Sequence, residues 1–153
     1  MDRDNEFTRL FGGPAAPRVQ IALGPRLKRL RDELNAPVFA HRPRTRTQRR
    51  VVAYVRTLNG VDPAPVFQVL EQETTKRGWQ VGHRLHDERG PLAPQQSPGW
   101  LLARRLMHEG FADGVLVLDR SHISENNAEY EEELHFVADR HCFTALVVPE
   151  AAT

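Results

Sequence analysis

The sequence has little of what exported, membrane-spanning or disulfide-stapled proteins contain. It has one cysteine, Cys142, so no disulfide can form within the chain, and we predict that this thiol is buried. No apolar run approaches the roughly 20 residues that a membrane-spanning helix needs. Residues 1–11 mix acids with bases and lack the apolar core of a secretory signal. These absences predict a protein of the reducing cytoplasm with no membrane partner.

Motifs for nucleotide cofactors and metal ions are also scarce. The sequence contains neither Gly-x-Gly-x-x-Gly nor a phosphate-binding loop with its lysine. Of the seven histidines, only His83 and His86 form a tight cluster, beside Asp87. Residues three apart on a strand face opposite sides of a sheet, which disfavours a shared metal ion. We therefore predict no metal site and no cofactor, and we assign His122 to a turn.

A net charge of only +1 conceals a strong asymmetry along the chain. Residues 1–50 hold twelve basic and five acidic residues, whereas residues 51–153 hold nine basic and fifteen acidic residues. A basic segment joined to an acidic domain is typical of a polyanionic partner, or of contact between the two halves. The segment HRPRTRTQRR is either a solvated linker or a nucleic-acid-binding arm. Its arginines are Arg42, Arg44, Arg46, Arg49 and Arg50.

Residues 1–49 are predicted to form a basic, partly disordered arm that precedes the domain. Glycines and prolines within residues 1–17 favour disorder, and residues 18–23 favour a short extended piece. Three leucines at helical spacing then predict one short helix over about 25–35. Pro37 interrupts that pattern, because proline disrupts the interior of a helix.

Residues 50–153 alternate strand patterns with helix patterns. Four runs predict strands: RVVAYVRTL, WQVGHRLHDE, GVLVLD and FTALVV. The second run alternates, and we expect Trp79, Val81, His83 and Leu85 on one face. Three helical patterns separate the four runs. This order predicts an α/β domain: a small, mostly parallel sheet of about four strands with helices on both faces.

Charged residues follow the predicted strands where a parallel sheet carries its function, at the carboxyl ends. They are Arg56, Asp87, Asp119 and Arg120. An arginine fork contacts a phosphate through two parallel hydrogen bonds, so two arginines at neighbouring strand ends suit a phosphodiester. The same four residues also fit a pair of structural Asp–Arg ion pairs, and the pattern leaves both interpretations open.

Short motifs at these strand ends resemble the serine recombinases, the family of resolvases and invertases. Tyr54-Val55-Arg56 is similar to the Tyr-x-Arg motif on the family's first strand, and Leu118-Asp119-Arg120 is similar to its Leu-Asp-Arg motif. Asp87 stands where the family has an acidic residue before a glycine-containing loop, here reaching Gly90. The resemblance covers about residues 50–150 and implies a resolvase-like fold and an ancestry in DNA recombination. It implies a remnant active site of Tyr54, Arg56, Asp87, Asp119 and Arg120.

The sequence departs from that family at the residues that carry out its chemistry. The resemblance places the serine that forms a covalent link to a DNA phosphate two residues after Arg56, where this chain has Leu58. It also implies an arginine at the start of the second helix of the domain and another three residues after Arg120. Those positions are Ser97 and Ile123. The resemblance therefore implies a pseudoenzyme without strand transfer.

Three functional hypotheses follow from these residues. The first is a resolvase-like module without catalysis, which binds DNA or an acidic partner through Arg56, Arg120 and the arginines of the arm. The second is an active recombinase or nuclease-like enzyme whose nucleophile is displaced to Thr57 or Ser124. The third is a protein-interaction adaptor, able to self-associate, whose basic arm binds its own acidic helix over about 127–140.

Overall fold

A computed structural model describes residues 15–41, 43, 47–88 and 93–152, with side chains from residue 23 onward. The helices and strands in chain order are α1 (Ala15–Phe39), β1 (Arg50–Arg56), α2 (Ala64–Arg77), β2 (Gln80–Asp87), α3 (Pro98–His108), β3 (Gly114–Val117), α4 (Asn127–Asp139) and β4 (Phe143–Leu146). Short 3-10 turns lie at Pro94–Gln96, Arg120–His122 and Glu150–Ala152.

The strands form a four-stranded parallel sheet in the order β2-β1-β3-β4. The side chains of β1 from Val51 to Val55 are fully buried, as expected for a β-branched run between two helical layers. One core cluster joins β1 to α1, α3 and α4 through residues such as Leu27, Trp100 and Tyr130. A second cluster, with Leu70 of α2, lies on the other face. The predicted α/β fold is confirmed.

Helix α1 is longer than the sequence predicts. It runs over Ala15–Phe39 instead of about 25–35, so the extended piece expected at 18–23 is wrong. Pro25 and Pro37 lie inside the helix, where each removes a backbone donor. Tertiary contacts compensate for that loss, because Leu27 of α1 is fully buried against the sheet. The division into an arm of residues 1–49 and a domain of residues 50–153 stays a prediction.

Polar contacts fix α1 along the edge strand β4. The amide of Asn35 donates to the carbonyl of Thr144 at 2.7 Å and accepts from its N–H at 3.1 Å, much as a neighbouring strand would. Arg31 forms a buried ion pair with Glu150 at 2.8 Å, and the Tyr130 hydroxyl donates to the same carboxylate at 2.6 Å. Helix α1 therefore occupies a sheet edge that would otherwise expose unpaired backbone groups.

Strand β2 does not keep the single apolar face that its alternation predicts. A register irregularity leaves Gly82 without a partner on β1, so the strand changes face there. Val81 packs in the cluster on the α2 side, whereas Leu85 packs in the cluster on the opposite face. Gly82 suits this position because a Cβ atom would overlap the side chain of Arg50.

Candidate functional site at the strand ends

The strand order places a crevice at the carboxyl ends of β1 and β3. The chain leaves β1 for β2 on one side of the sheet, and it leaves β3 for β4 on the other. Ligands of open α/β sheets bind outside such a reversal of strand order. Arg56 ends β1 and Asp119-Arg120 follows β3, so these predicted residues flank the crevice. Asp87 ends β2, directly beside Arg56 in the β1–β2 pairing.

Asp87 is buried at the centre of a hydrogen-bond network. Its carboxylate accepts from the Tyr54 hydroxyl at 2.5 Å and from the backbone N–H groups of Gly99 and Trp100 at 2.8 and 3.0 Å. A negative charge is favourable there, because these groups form the N-terminus of α3. Burial, together with the hydrogen bond to Asp87, raises the pKa of Tyr54 well above its usual range. Tyr54 is therefore a neutral donor that holds Asp87.

Arg56 is half-buried and is positioned by residues from two other segments. Its guanidinium donates to the hydroxyl of Ser97, which in turn donates to the carbonyl of Ala93 at 3.1 Å. Its backbone N–H donates to Nδ1 of His122 at 2.9 Å. Burial lowers the pKa of His122, which favours a neutral ring that accepts this bond and carries its proton on Nε2. His122 thus belongs to the site as well as to its predicted turn.

Arg120 is engaged by the loop that follows it. Its guanidinium donates to the carbonyls of Ser124 and Glu125 at 3.1 to 3.3 Å and to the Asn127 side chain at 2.8 Å. It also lies 4.7 Å from the centre of the Tyr130 ring. These hydrogen bonds occupy N–H donors that a phosphate would need. The main role of Arg120 in the structure is therefore to hold the loop before α4.

Neither aspartate of the predicted site serves mainly as a counter-ion to an arginine. Asp119 accepts from the backbone N–H of Ser121 at 2.9 Å and from its hydroxyl, which caps the 3-10 turn at Arg120–His122. Asp87 caps α3 in the same way. The described contacts therefore favour turn-capping aspartates over the pair of structural Asp–Arg ion pairs.

The hydroxyl-bearing residues nearest Arg56 are Thr57 and Ser97, while the exposed Ser121, in the turn after β3, donates its hydroxyl to Asp119. Leu58, at the position that the resemblance gives to the nucleophile, is 64% exposed. The Ser97 hydroxyl beside Arg56 belongs to a residue that is only 1% exposed. Thr57 lies on the opposite face, because successive strand residues alternate, and its hydroxyl is 2.6 Å from Nε2 of His86.

The second candidate nucleophile, Ser124, is used in helix capping. Its hydroxyl donates to Glu129 at 2.9 Å and accepts from the backbone N–H of Asn126 at 3.0 Å. Ser124 is also 5% exposed, so a DNA phosphate has little access to it.

The predicted nucleic-acid-binding arginines that the structure describes lie at opposite ends of the strands. Arg49 and Arg50 lie at the start of β1 and Arg56 ends it, so six strand steps, about 20 Å, separate Arg50 from Arg56. The Arg49 guanidinium donates to the carbonyls of Phe39 and His41 at 3.1 and 3.0 Å. Arg42, Arg44, Arg46 and the Gly90 loop lie outside the described residues.

Other expectations concern metals, membranes and the single cysteine. Within the described ranges, no three His, Cys, Asp or Glu side chains converge in a way that could hold a metal ion. None of the described helices combines the length and apolar character needed to span a bilayer. Cys142 is 4% exposed, so the prediction of a buried thiol is confirmed.

Comparison with known proteins gives matches among solved structures. No protein-family model and no curated protein sequence matches the chain significantly. The catalytic domain of ISC1926 TnpA, an IS607-like serine recombinase, has a TM-score of 0.56 at 24% identity, over 64% of this chain and 70% of that one. The N-terminal catalytic domain of TP901-1 integrase has a TM-score of 0.56 at 19% identity, over 64% of this chain and 77% of that one.

A third match comes from an archaeal transposon. The first open reading frame of ISC1904 from Sulfolobus solfataricus P2 has a TM-score of 0.51 at 14% identity, over 63% of this chain and 66% of that one. Identities this low define the fold and leave residue roles open. The chain has the fold of serine recombinase catalytic domains, which confirms at the level of fold the resemblance carried by the strand-end motifs.

Proposed function

We propose that this protein is a serine-recombinase-like module that does not transfer DNA strands and that binds DNA, or an acidic partner, through its strand ends. The observation that carries the proposal is Leu58, an exposed side chain without a nucleophile beside Arg56. The deeply buried Ser97 and the opposite-facing Thr57 support the same conclusion.

Arg56 is the residue that we propose for phosphate or carboxylate contact at this site. It is half-buried, and its contacts with Ser97 and His122 fix it at the crevice between β1 and β3. Pre-organisation of this kind strengthens recognition of an anion. Arg120 is a weaker candidate because its donors serve the loop before α4. We keep Asp87, Asp119 and Tyr54 as the remnant framework that positions these arginines.

The arm arginines form a second contact in this proposal, separate from Arg56. They are Arg42, Arg44, Arg46, Arg49 and Arg50. Arg49 and Arg50 lie at the start of β1 and Arg56 lies at its end. A duplex that contacts all three arginines would therefore present a different phosphate at each end of the strand. We place the protein in the cytoplasm, the compartment that the sequence predicts.

A salt-titrated binding assay with duplex DNA tests the binding part of the proposal. Arg56→Ala should weaken binding about tenfold, which is the loss of one charge-assisted hydrogen bond. Arg105→Ala is the matched control, because Arg105 is an exposed arginine paired to Glu109 on α3. Equal affinities of the two variants would remove Arg56 from the binding account.

An enzyme with a displaced nucleophile is the second candidate, and one observation favours it. The hydrogen bond between the Thr57 hydroxyl and Nε2 of His86 resembles the pairing of a hydroxyl nucleophile with a general base. On this alternative, a covalent protein–DNA adduct forms and disappears in Thr57→Ala.

An adaptor is the third candidate, supported by contact between the basic and acidic halves of the chain. Arg26 of α1 forms an ion pair with Glu131 of α4 at 2.8 Å. That contact is what an arm bound to its own acidic helix requires. Absence of any DNA binding at low salt, with normal folding, would favour this candidate over the first.

A further inference from the structure

Two arginines enclose one aromatic ring on the outer helical layer. The guanidinium carbon of Arg104, on α3, lies 3.5 Å from the centre of the Phe136 ring, on α4. The guanidinium carbon of Arg140, at the end of α4, lies 3.3 Å from the same centre. Each group is in van der Waals contact with the ring, so the two occupy opposite faces. We call Arg104, Phe136 and Arg140 the arginine–phenylalanine clamp.

Most donors of the clamp have no acceptor among the described residues. Arg104 has one ion pair, with Glu133 at 3.7 Å, which exceeds hydrogen-bond length. Glu133 is buried and already accepts from the Trp100 indole at 2.6 Å. Arg140 donates once, to the carbonyl of Phe136 at 2.8 Å, and its Nε is buried without a partner. The two positive charges are therefore under-compensated.

The geometry of the clamp suits a single anionic group. The ring covers one flat face of each guanidinium group, which leaves the N–H donors at the edges of the groups, with Nε of Arg140 buried. The edge of an aromatic ring also carries partial positive charge. A carboxylate beside the ring would meet two planar forks and this positive edge, an arrangement that favours charge-assisted hydrogen bonds.

The surroundings favour a carboxylate on a protein over a nucleic-acid backbone. Helix α4 also carries Glu129, Glu131 and Glu132, which would repel an extended polyanion. Leu101 lies three residues before Arg104 on α3, on the same side of the helix, and is 41% exposed. A segment with an acidic residue beside an apolar one would match both the clamp and Leu101.

We propose that the arginine–phenylalanine clamp is a docking site for an acidic, partly apolar segment of a protein partner. The clamp is distinct from the strand-end site. Arg104 follows Ser97, the residue that contacts the Arg56 guanidinium, by seven residues, roughly 10 Å along α3. The proposal therefore does not depend on DNA binding by Arg56.

Fluorescence anisotropy of the full chain with two labelled peptides tests this docking site. One peptide carries a single glutamate flanked by leucines, and in the other glutamine replaces that glutamate. The glutamate peptide should bind and the glutamine peptide should not. Arg104→Gln and Arg140→Gln should each weaken binding about tenfold or more. Arg105→Gln, an exposed neighbour on α3 outside the clamp, should leave binding unchanged.

Circular dichroism of each variant separates lost binding from lost folding. Arg140→Lys keeps the charge but loses the planar fork, so it should bind less tightly than the wild type if the fork recognises a carboxylate. Binding that is equal for both peptides, or equal in folded wild type and folded clamp variants, overturns the proposal. Loss of duplex DNA binding in the clamp variants, with peptide binding intact, would instead assign the clamp to phosphates.

Discussion

Single residues at the strand ends have structural duties that the sequence does not reveal. Asp87 reads as one of four charged residues at the sheet edge, yet it caps α3 and holds the Tyr54 hydroxyl. Ser97-Pro98 has the sequence of a helix cap, yet the Ser97 hydroxyl is taken by Arg56. These partners come from distant segments, so local patterns could locate Arg56 and Asp87 but could not predict what each contacts.

Replacing Asp87 by asparagine should destabilise the protein by about 2 kcal/mol, because a buried charge that caps a helix N-terminus is lost. Urea unfolding measures the effect. The matched control is Asp62→Asn, since Asp62 also accepts from a backbone N–H, that of Ala64, but is exposed. Equal losses in the two variants would contradict a special role for Asp87.

Residue 99 has to be glycine because the Asp87 carboxylate lies where a side chain would begin. A Cβ atom there would lie 2.9 Å from the Asp87 carboxylate, whereas one at Gly60 would meet nothing within 4 Å. Gly99→Ala should therefore destabilise the protein by about 1 to 3 kcal/mol through overpacking, although alanine favours a helix. Thermal unfolding tests this expectation, and a stabilised Gly99→Ala variant would show that the capping geometry is wrong.

Glu150 should make stability depend on pH. Burial acts to raise the pKa of Glu150, but the hydrogen bonds from Arg31 and Tyr130 outweigh it and lower that pKa below the usual 4.5. A lowered carboxyl pKa contributes stability above the unfolded-state pKa, and the contribution is lost as the pH falls through the folded-state pKa. The free energy of unfolding of wild type should thus exceed that of Glu150→Gln by about 3 kcal/mol at neutral pH.

Urea unfolding of wild type and Glu150→Gln across the acid range checks that sign. The difference between the two proteins should shrink as the pH falls below about 4.5. Glu109→Gln, which removes an exposed carboxylate directly after α3, is the control and should show little difference in stability from wild type at any pH. A difference that grows in acid would contradict the assignment.

At the scale of elements, strands are better predicted from this sequence than the first helix or the faces of β2. The β-branched run of β1 correctly predicts a buried strand. In contrast, the sequence predicts a helix that begins at about residue 25 and ends before Pro37, and the docking of Leu27, Arg31 and Asn35 overrides both limits. The β2 irregularity is invisible to hydropathy, because a one-residue slip exchanges the faces without changing the composition.

Asn35 should be essential for the way in which α1 covers the exposed edge of β4. Asn35→Ala leaves the N–H of Thr144 without its partner and the C=O with only a long bond from Arg31, at 3.4 Å, so it should cost about 2 kcal/mol of stability. It should also promote concentration-dependent association through the uncovered edge, measured by light scattering. Glu33→Ala, at an exposed position of the same helix, is the control. Identical stability and association of the two variants would argue against this role of Asn35.

At the scale of the whole molecule, the charge asymmetry of the sequence has a structural counterpart. The basic first half reaches the acidic second half through the ion pairs of Arg26 with Glu131 and Arg31 with Glu150. The sequence predicts such contact as one of two alternatives, the other being a polyanionic partner. The arginines of HRPRTRTQRR, at residues 41–50, test whether DNA is also a partner of the basic half.

Replacing Arg42, Arg44 and Arg46 together by alanine should flatten the salt dependence of DNA binding. The slope of log affinity against log salt should fall by up to about one unit for each lost phosphate contact. The triple variant is compared with wild type and Arg105→Ala over a salt titration. An unchanged slope would leave the arm outside DNA binding.

We propose that this serine-recombinase-like module does not transfer DNA strands, and an assay for covalent protein–DNA adducts tests that proposal. Wild type, Arg56→Ala and Thr57→Ala are incubated with supercoiled and linear DNA and run on denaturing gels that retain protein–DNA links. We expect salt-sensitive binding by wild type with no adduct in any lane. An adduct formed by wild type and absent from Thr57→Ala would contradict the proposal and identify Thr57 as the nucleophile.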